Sequence, residues 1–125
     1  MAKKILGVVA GLVVWVIVVS IAGSIMRAVW PAYASVADAM TFTLPMMIAR
    51  LSIGAVATVA AGWVAGMITG RSTIATVLPG VLLLLAFIPE HISLWEKFPV
   101  WYHLTFLLSL IPLTFAGGQI APAQR

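Results

Sequence analysis

Four long apolar stretches leave this chain almost no choice of solvent. Ile5–Met26, Leu51–Gly70, Ser72–Pro89 and Phe98–Gly118 contain no Lys, Arg, Asp or Glu. Crossing the hydrocarbon core of a bilayer takes about 20 apolar residues, and each window has that length or nearly so. A β-barrel would alternate apolar and polar residues along its strands, whereas Leu12–Val19 runs apolar without a break. Helices also satisfy their backbone hydrogen bonds within the segment, as lipid requires. The expected fold is an all-α integral membrane protein: a four-transmembrane-helix bundle in a single membrane domain, with approximate spans 5–29, 45–70, 72–89 and 98–118. A short interfacial segment is expected between the third and fourth spans.

Composition says the same by another route. Only 8% of residues are charged and 63% are hydrophobic, against about 25% charged in ordinary soluble domains. There is no cysteine, so disulfides and thiolate sites are excluded. The net charge of +4 comes from seven Lys and Arg scattered over helix ends, with no basic run beyond Lys3-Lys4. Juxtamembrane charge explains this pattern, and it does not call for nucleic acid as a partner.

Lys3-Lys4 before an apolar run resembles the start of a signal peptide, and Ala32-Tyr33-Ala34 has a small-x-small pattern. That pattern lies well beyond the run, and Ile5–Met26, at 22 residues, is longer than a signal-peptide core. The segment is therefore read as a first span. With a cytoplasmic N-terminus, Lys3, Lys4, Arg71 and Arg125 fall inside, and Arg27, Arg50 and Lys97 fall outside with Asp38, Glu90 and Glu96. The positive charge is biased inward, which favours a multi-pass protein of the cell (inner) membrane with both termini cytoplasmic.

Trp30-Pro31 marks the end of the first span, Ser35–Met40 suggests a short surface helix, and Thr43 stands as a candidate N-cap of the second span. In that second span Gly62, Gly66 and Gly70 recur every fourth residue. Small residues at this spacing let helix backbones come together in lipid. Gly7 and Gly11 suggest the first span as the partner, and contact with another subunit is the alternative. Pro79-Gly80 interrupts the third span and suggests a kink or hinge. Trp30, Trp95, Trp101 and Tyr102 are expected to form an aromatic belt on the outer side.

All candidate chemistry gathers on that outer side. Glu90, His91, Glu96 and His103 are the residues from which a metal site would have to be built. Their spacing argues against one: Glu90 and His91 are adjacent, and Pro99 separates Glu96 from His103. Arg50 lies about one turn inside its span, and a charge at that depth needs a partner. An ion pair with Asp38 or Glu90 is expected. There is no nucleophile elbow, zinc-protease motif or phosphate-binding loop, so neither an enzyme nor a cofactor is expected.

Size and span number are similar to the small multidrug-resistance exporters, but those carry an acid in the first span and Ile5–Met26 has none. They are also similar to the dual-topology fluoride channels, whose Gly- and Thr/Ser-rich filter motif has no match here. Two functions are left. The preferred one is an accessory or interaction subunit, with the lipid bilayer and other membrane subunits as partners. The other is a homo-oligomeric channel or transporter whose pathway runs between subunits, with only Thr58, Thr69, Thr76, Ser109 and Thr114 to line it.

Overall fold

Residues 2–122 are described by a computed structural model, which is all-helical. The helices are α1 (Ala2–Val29), α2 (Pro31–Ala37), α3 (Leu44–Thr69), α4 (Thr73–Ser93) and α5 (Val100–Ile120), with a 3-10 turn at Trp95–Lys97. Helices α1, α3, α4 and α5 are long and apolar enough to cross a membrane. Even the shortest, at 21 residues, is about 32 Å long at ~1.5 Å per residue.

The boundaries follow local chemistry. Trp30 precedes proline and takes φ −124°, ψ 87°, which stops α1; Pro31 then supplies the first residue of α2. The short surface helix therefore begins several residues before Ser35. Thr43 occupies the N-cap position of α3, but its side chain makes no capping bond. At the other end, Gly70 sits in the left-handed region (φ 67°), and the Arg71 N–H reaches back to the Gly66 carbonyl at 2.9 Å. Both residues turn the chain, and the Ser72 hydroxyl then accepts from the Ala75 N–H to start α4.

The expected end of α4 needs correction. The helix runs unbroken through Pro79 and Pro89 to Ser93, so residues 89–93 belong to the helix and the connection to α5 shrinks to the turn around Trp95–Lys97. Pro79-Gly80 lies inside this continuous helix. Gly80 is where α5 comes close: a Cβ there would lie 2.8 Å from both the Leu110 carbonyl oxygen and Ile111 Cα.

Helix α3 lies between α1 and α5, and small residues set both interfaces. Gly11 of α1 faces Ala61 of α3, where an added Cβ would stand 2.8 Å from the Ala61 carbonyl oxygen. Gly7 stands likewise over Ala65 and Thr69. The glycines of α3 point the other way. Gly62 meets the Thr114 carbonyl of α5, and Gly66 meets Gly118. The sequence therefore had the helices of the first contact right, but the α1 glycines meet alanines of α3, while Gly62 and Gly66 serve α5. Gly70 belongs to neither face, because it caps the helix.

Seven aromatic side chains, of Trp30, Tyr33, Phe42, Trp95, Phe98, Trp101 and Tyr102, lie at the opposite end of the bundle from the Gly70–Arg71 turn. Trp30, Tyr33, Phe42, Phe98 and Tyr102 form one continuous stack, with centroid separations of 5.9, 5.1, 5.9 and 4.4 Å. Trp95 and Trp101 are exposed as a belt requires, but Tyr102 is only 5% exposed and belongs to the interior. The Lys97 ammonium donates to the Ala39 carbonyl at 3.2 Å and fastens the 3-10 turn to the α2–α3 loop.

Candidate functional site

Beneath this aromatic end lies a cavity of about 260 Å³ between α1, α3, α4 and α5. Its inner part is apolar, with Trp15 and Val19 from α1, Ile53 from α3, Phe87 from α4 and Phe106 from α5. Its outer part carries the polar groups: Tyr33, Arg50, Glu90, His91 and Tyr102.

The floor is fixed by one hydrogen bond. The Trp15 indole Nε1–H donates to the Thr58 hydroxyl at 3.1 Å, and that hydroxyl donates to the Gly54 carbonyl at 2.6 Å. Trp15 also packs on Phe87, with ring centroids 5.2 Å apart. Deeper in the bundle, the glycine contacts of α1 with α3 and of α3 with α5 bring backbone onto backbone. The cavity is thus closed at its inner end, toward the Gly70–Arg71 turn.

Arg50 is the site's charge, and its partners are not those the sequence suggested. Nη1 donates to the Tyr33 hydroxyl at 2.8 Å, and Nε donates to the Tyr102 hydroxyl at 3.2 Å. The guanidinium carbon lies 4.6 Å from the centroid of the Phe42 ring. Among the described residues the one ion pair within 4.0 Å is Arg27–Asp38, at 3.5 Å. The expected pairing of Arg50 with Asp38 or Glu90 is therefore not formed. Asp38 follows α2, which folds back beside the end of α1, so it meets Arg27 instead. Glu90 stays exposed on the rim. Two neutral phenols, one from α2 and one from α5, occupy the places a carboxylate would take. The Asp38 side chain is 97% exposed, so its pair with Arg27 adds little stability.

The four candidate metal ligands separate into different roles. His91 and His103 come together, with Nδ1···Nδ1 at 2.6 Å, while His103 Nε2 lies 3.1 Å from the Trp95 carbonyl oxygen. A carbonyl only accepts, so His103 Nε2 carries a proton. In the neutral pair His103 Nδ1 then accepts, His91 Nδ1–H donates, and His91 Nε2 keeps a lone pair. Glu90 and Glu96 are exposed. Among the described residues no group of three His, Cys, Asp or Glu side chains is placed to hold a metal ion. The α4–α5 connection carries Glu96 out on the 3-10 turn, while His103 faces inward at 0% exposure.

The histidines instead act as a clamp. His103 stacks on Trp95 (4.5 Å, 10°), and His91 stacks on Phe106 (5.0 Å, 26°). His103→Leu is expected to leave the His91 N–H without its partner, at about 1–3 kcal/mol for one orphaned buried group. A lowered thermal midpoint in detergent would register it; an unchanged midpoint would show that the clamp carries no load.

Sequence reasoning missed Tyr33, Phe42 and the Trp15–Thr58 bond. Their partners lie 17, 8 and 43 positions away, spacings that no local pattern reports. The one available signal was the need of Arg50 for a partner, which pointed to acids rather than phenols. The chain matches no family model, no curated protein and no solved structure. What the fold and site define is a class: a helical bundle with four candidate membrane spans and a blind, aromatic-walled pocket with one arginine at its mouth.

Proposed function

We propose that this chain is an integral membrane protein of four spans that works as a non-enzymatic accessory subunit of a larger membrane complex, holding a small molecule in its blind pocket. The observation that carries this reading is the closed half of the bundle. Gly62 on Thr114, Gly66 on Gly118 and Gly11 on Ala61 bring backbones together where a pathway would have to run. A pocket with one mouth suits holding a ligand rather than conducting it. The side chains available to line a pathway between subunits point to the same choice. Thr58, Thr76 and Thr114 are buried inside the subunit, Thr69 and Ser109 are half-buried, and all five hydroxyls donate to carbonyls of their own helices. The homo-oligomeric channel or transporter is the second reading, and it would need polar groups on outer faces that are mostly Val, Ile and Leu.

The charge bias supports a cell (inner) membrane with both termini cytoplasmic and the pocket mouth on the outer side. Lys3, Lys4 and Arg71 share the end away from the pocket, and Arg125 lies outside the described residues. Purification in mild detergent followed by native mass measurement tests the role. A hetero-complex is expected; a stable homo-oligomer without a partner would favour the channel instead. A reporter fused to the C-terminus and active only in the cytoplasm tests the orientation, and an inactive fusion of normal abundance would reverse it.

A further inference from the structure

We infer that the pocket takes a single-chain amphiphile with a small oxyanion head, the head resting on Arg50 and the alkyl chain running inward along Phe87 and Phe106 to Trp15. The inference rests on the pocket being a binding site and goes on to name the ligand class.

The chemistry of the mouth is rich in donors. Arg50 has no carboxylate within 4.0 Å, and its bonds to Tyr33 and Tyr102 use two of its five N–H groups. Each phenol accepts from Arg50 and keeps its own O–H, for which the described residues supply no acceptor. A guanidinium flanked by two hydroxyl donors matches a carboxylate or phosphate, which accepts at every oxygen. The acceptors on the wall are Glu90, exposed at the rim, and His91 Nε2. Neither is placed to neutralise Arg50.

The inner wall sets the other end of the ligand. Val19, Ile53, Phe87, Phe106 and Trp15 present hydrocarbon and ring surface, and the single polar contact at the floor is closed by the Trp15–Thr58 bond. An alkyl chain satisfies such a wall and a polar tail does not. Volume restricts the choice further. About 260 Å³ is under nine water volumes at ~30 Å³ each, which is room for one chain and not for two.

Gly23 supplies a clean probe of occupancy. It lines the cavity, and a Cβ added there meets nothing within 4 Å. Gly23→Leu is therefore expected to extend from the wall into the cavity with no clash at its Cβ, whereas Arg50→Gln removes the charge and leaves the cavity.

The experiment is isothermal titration of the protein in phosphatidylcholine nanodiscs with decanoate, decyl phosphate, 1-decanol and decyltrimethylammonium. Decanoate and decyl phosphate are expected to bind, and the alcohol and the cation to bind far more weakly. Arg50→Gln is expected to weaken decanoate binding by roughly 10- to 100-fold, the range for a lost charge-assisted hydrogen bond. Gly23→Leu is expected to abolish it. If 1-decanol binds as tightly as decanoate and Gly23→Leu blocks both, the pocket stands and the oxyanion assignment falls. If decanoate binding survives Gly23→Leu, the pocket reading falls as well. Displacement of decanoate by dioleoylphosphatidic acid in the same nanodiscs would overturn the single-chain assignment.

Discussion

Gly62→Ala is expected to destabilise the protein by about 3 kcal/mol or more, the largest effect of any single methyl group in the bundle. A Cβ at this position overlaps the Thr114 carbonyl, and the Thr114 carbonyl carbon and Cα lie 2.6 and 2.8 Å away. All three atoms are backbone, so no rotamer change relieves the overlap; α5 must move as a body. Overpacking usually costs about 1–3 kcal/mol where side chains can adjust, and the rigid neighbour puts this site at or above the top of that range. The displacement would also loosen Gly117 on the Val59 carbonyl and Gly66 on Gly118, which share the α3–α5 seam. Gly23→Ala, with open space around its Cβ, is the matched control and should leave the thermal midpoint unchanged. Equal midpoints for the two variants would show that α3 and α5 do not meet at Gly62. Gly66→Leu should act as Gly62→Ala does, through stability within one chain rather than through subunit assembly.

Trp15→Ala is expected to have the second-largest effect, and to change the pocket as well as the stability. Trp15 is 7% exposed, joins a core cluster with Ala57, Ala61, Leu83 and Leu110, and closes the pocket floor. In a water-soluble core, truncating a buried tryptophan costs about 3–5 kcal/mol. In the membrane proposed for this bundle the cost should lie below that range, because lipid solvates apolar surface and what is lost is mainly packing. The Thr58 hydroxyl is not orphaned, since it still donates to the Gly54 carbonyl. Removing the indole joins its volume to the cavity, so the variant should bind a longer-chain carboxylate such as myristate better than the wild type does. A stability loss with unchanged chain-length preference would place Trp15 in the core but not at the floor.

Much of the architecture could be read from the order of residues. The end of α1 at Val29 follows from Trp30-Pro31, and the α3–α4 turn follows from Gly70-Arg71-Ser72, because proline and glycine act within a few residues of themselves. The end of α4 was less legible. Pro89 looked like a stop, yet the helix passes through it, since a proline in an apolar span can be accommodated by the surrounding helices. The glycine spacing was a true signal of close approach, but spacing on one helix does not name the helix that approaches. Gly62 and Gly66 therefore meet α5, where Gly117 and Gly118 complete the contact.

The candidate site was legible as a region and not as an arrangement. Glu90 and His91 line the pocket and His103 lies against His91, but no three such groups converge among the described residues, and Arg50 is held by phenols. Helical period and hydropathy are local quantities, whereas a pocket depends on how four helices are rotated against one another.

The sequence by itself determined that the chain forms four long apolar helices, where their polar ends lie, and that Arg50 is a charge out of place within one of them. Those conclusions need only the apolar length of each segment and the cost of an ionised group in lipid. The tertiary structure alone decided that α3 is the hub, that half of the bundle is closed backbone to backbone, and that Tyr33 and Tyr102 hold Arg50 at the mouth of a blind pocket. Those partners sit 17 and 52 residues from Arg50, and only packing brings them within hydrogen-bond distance.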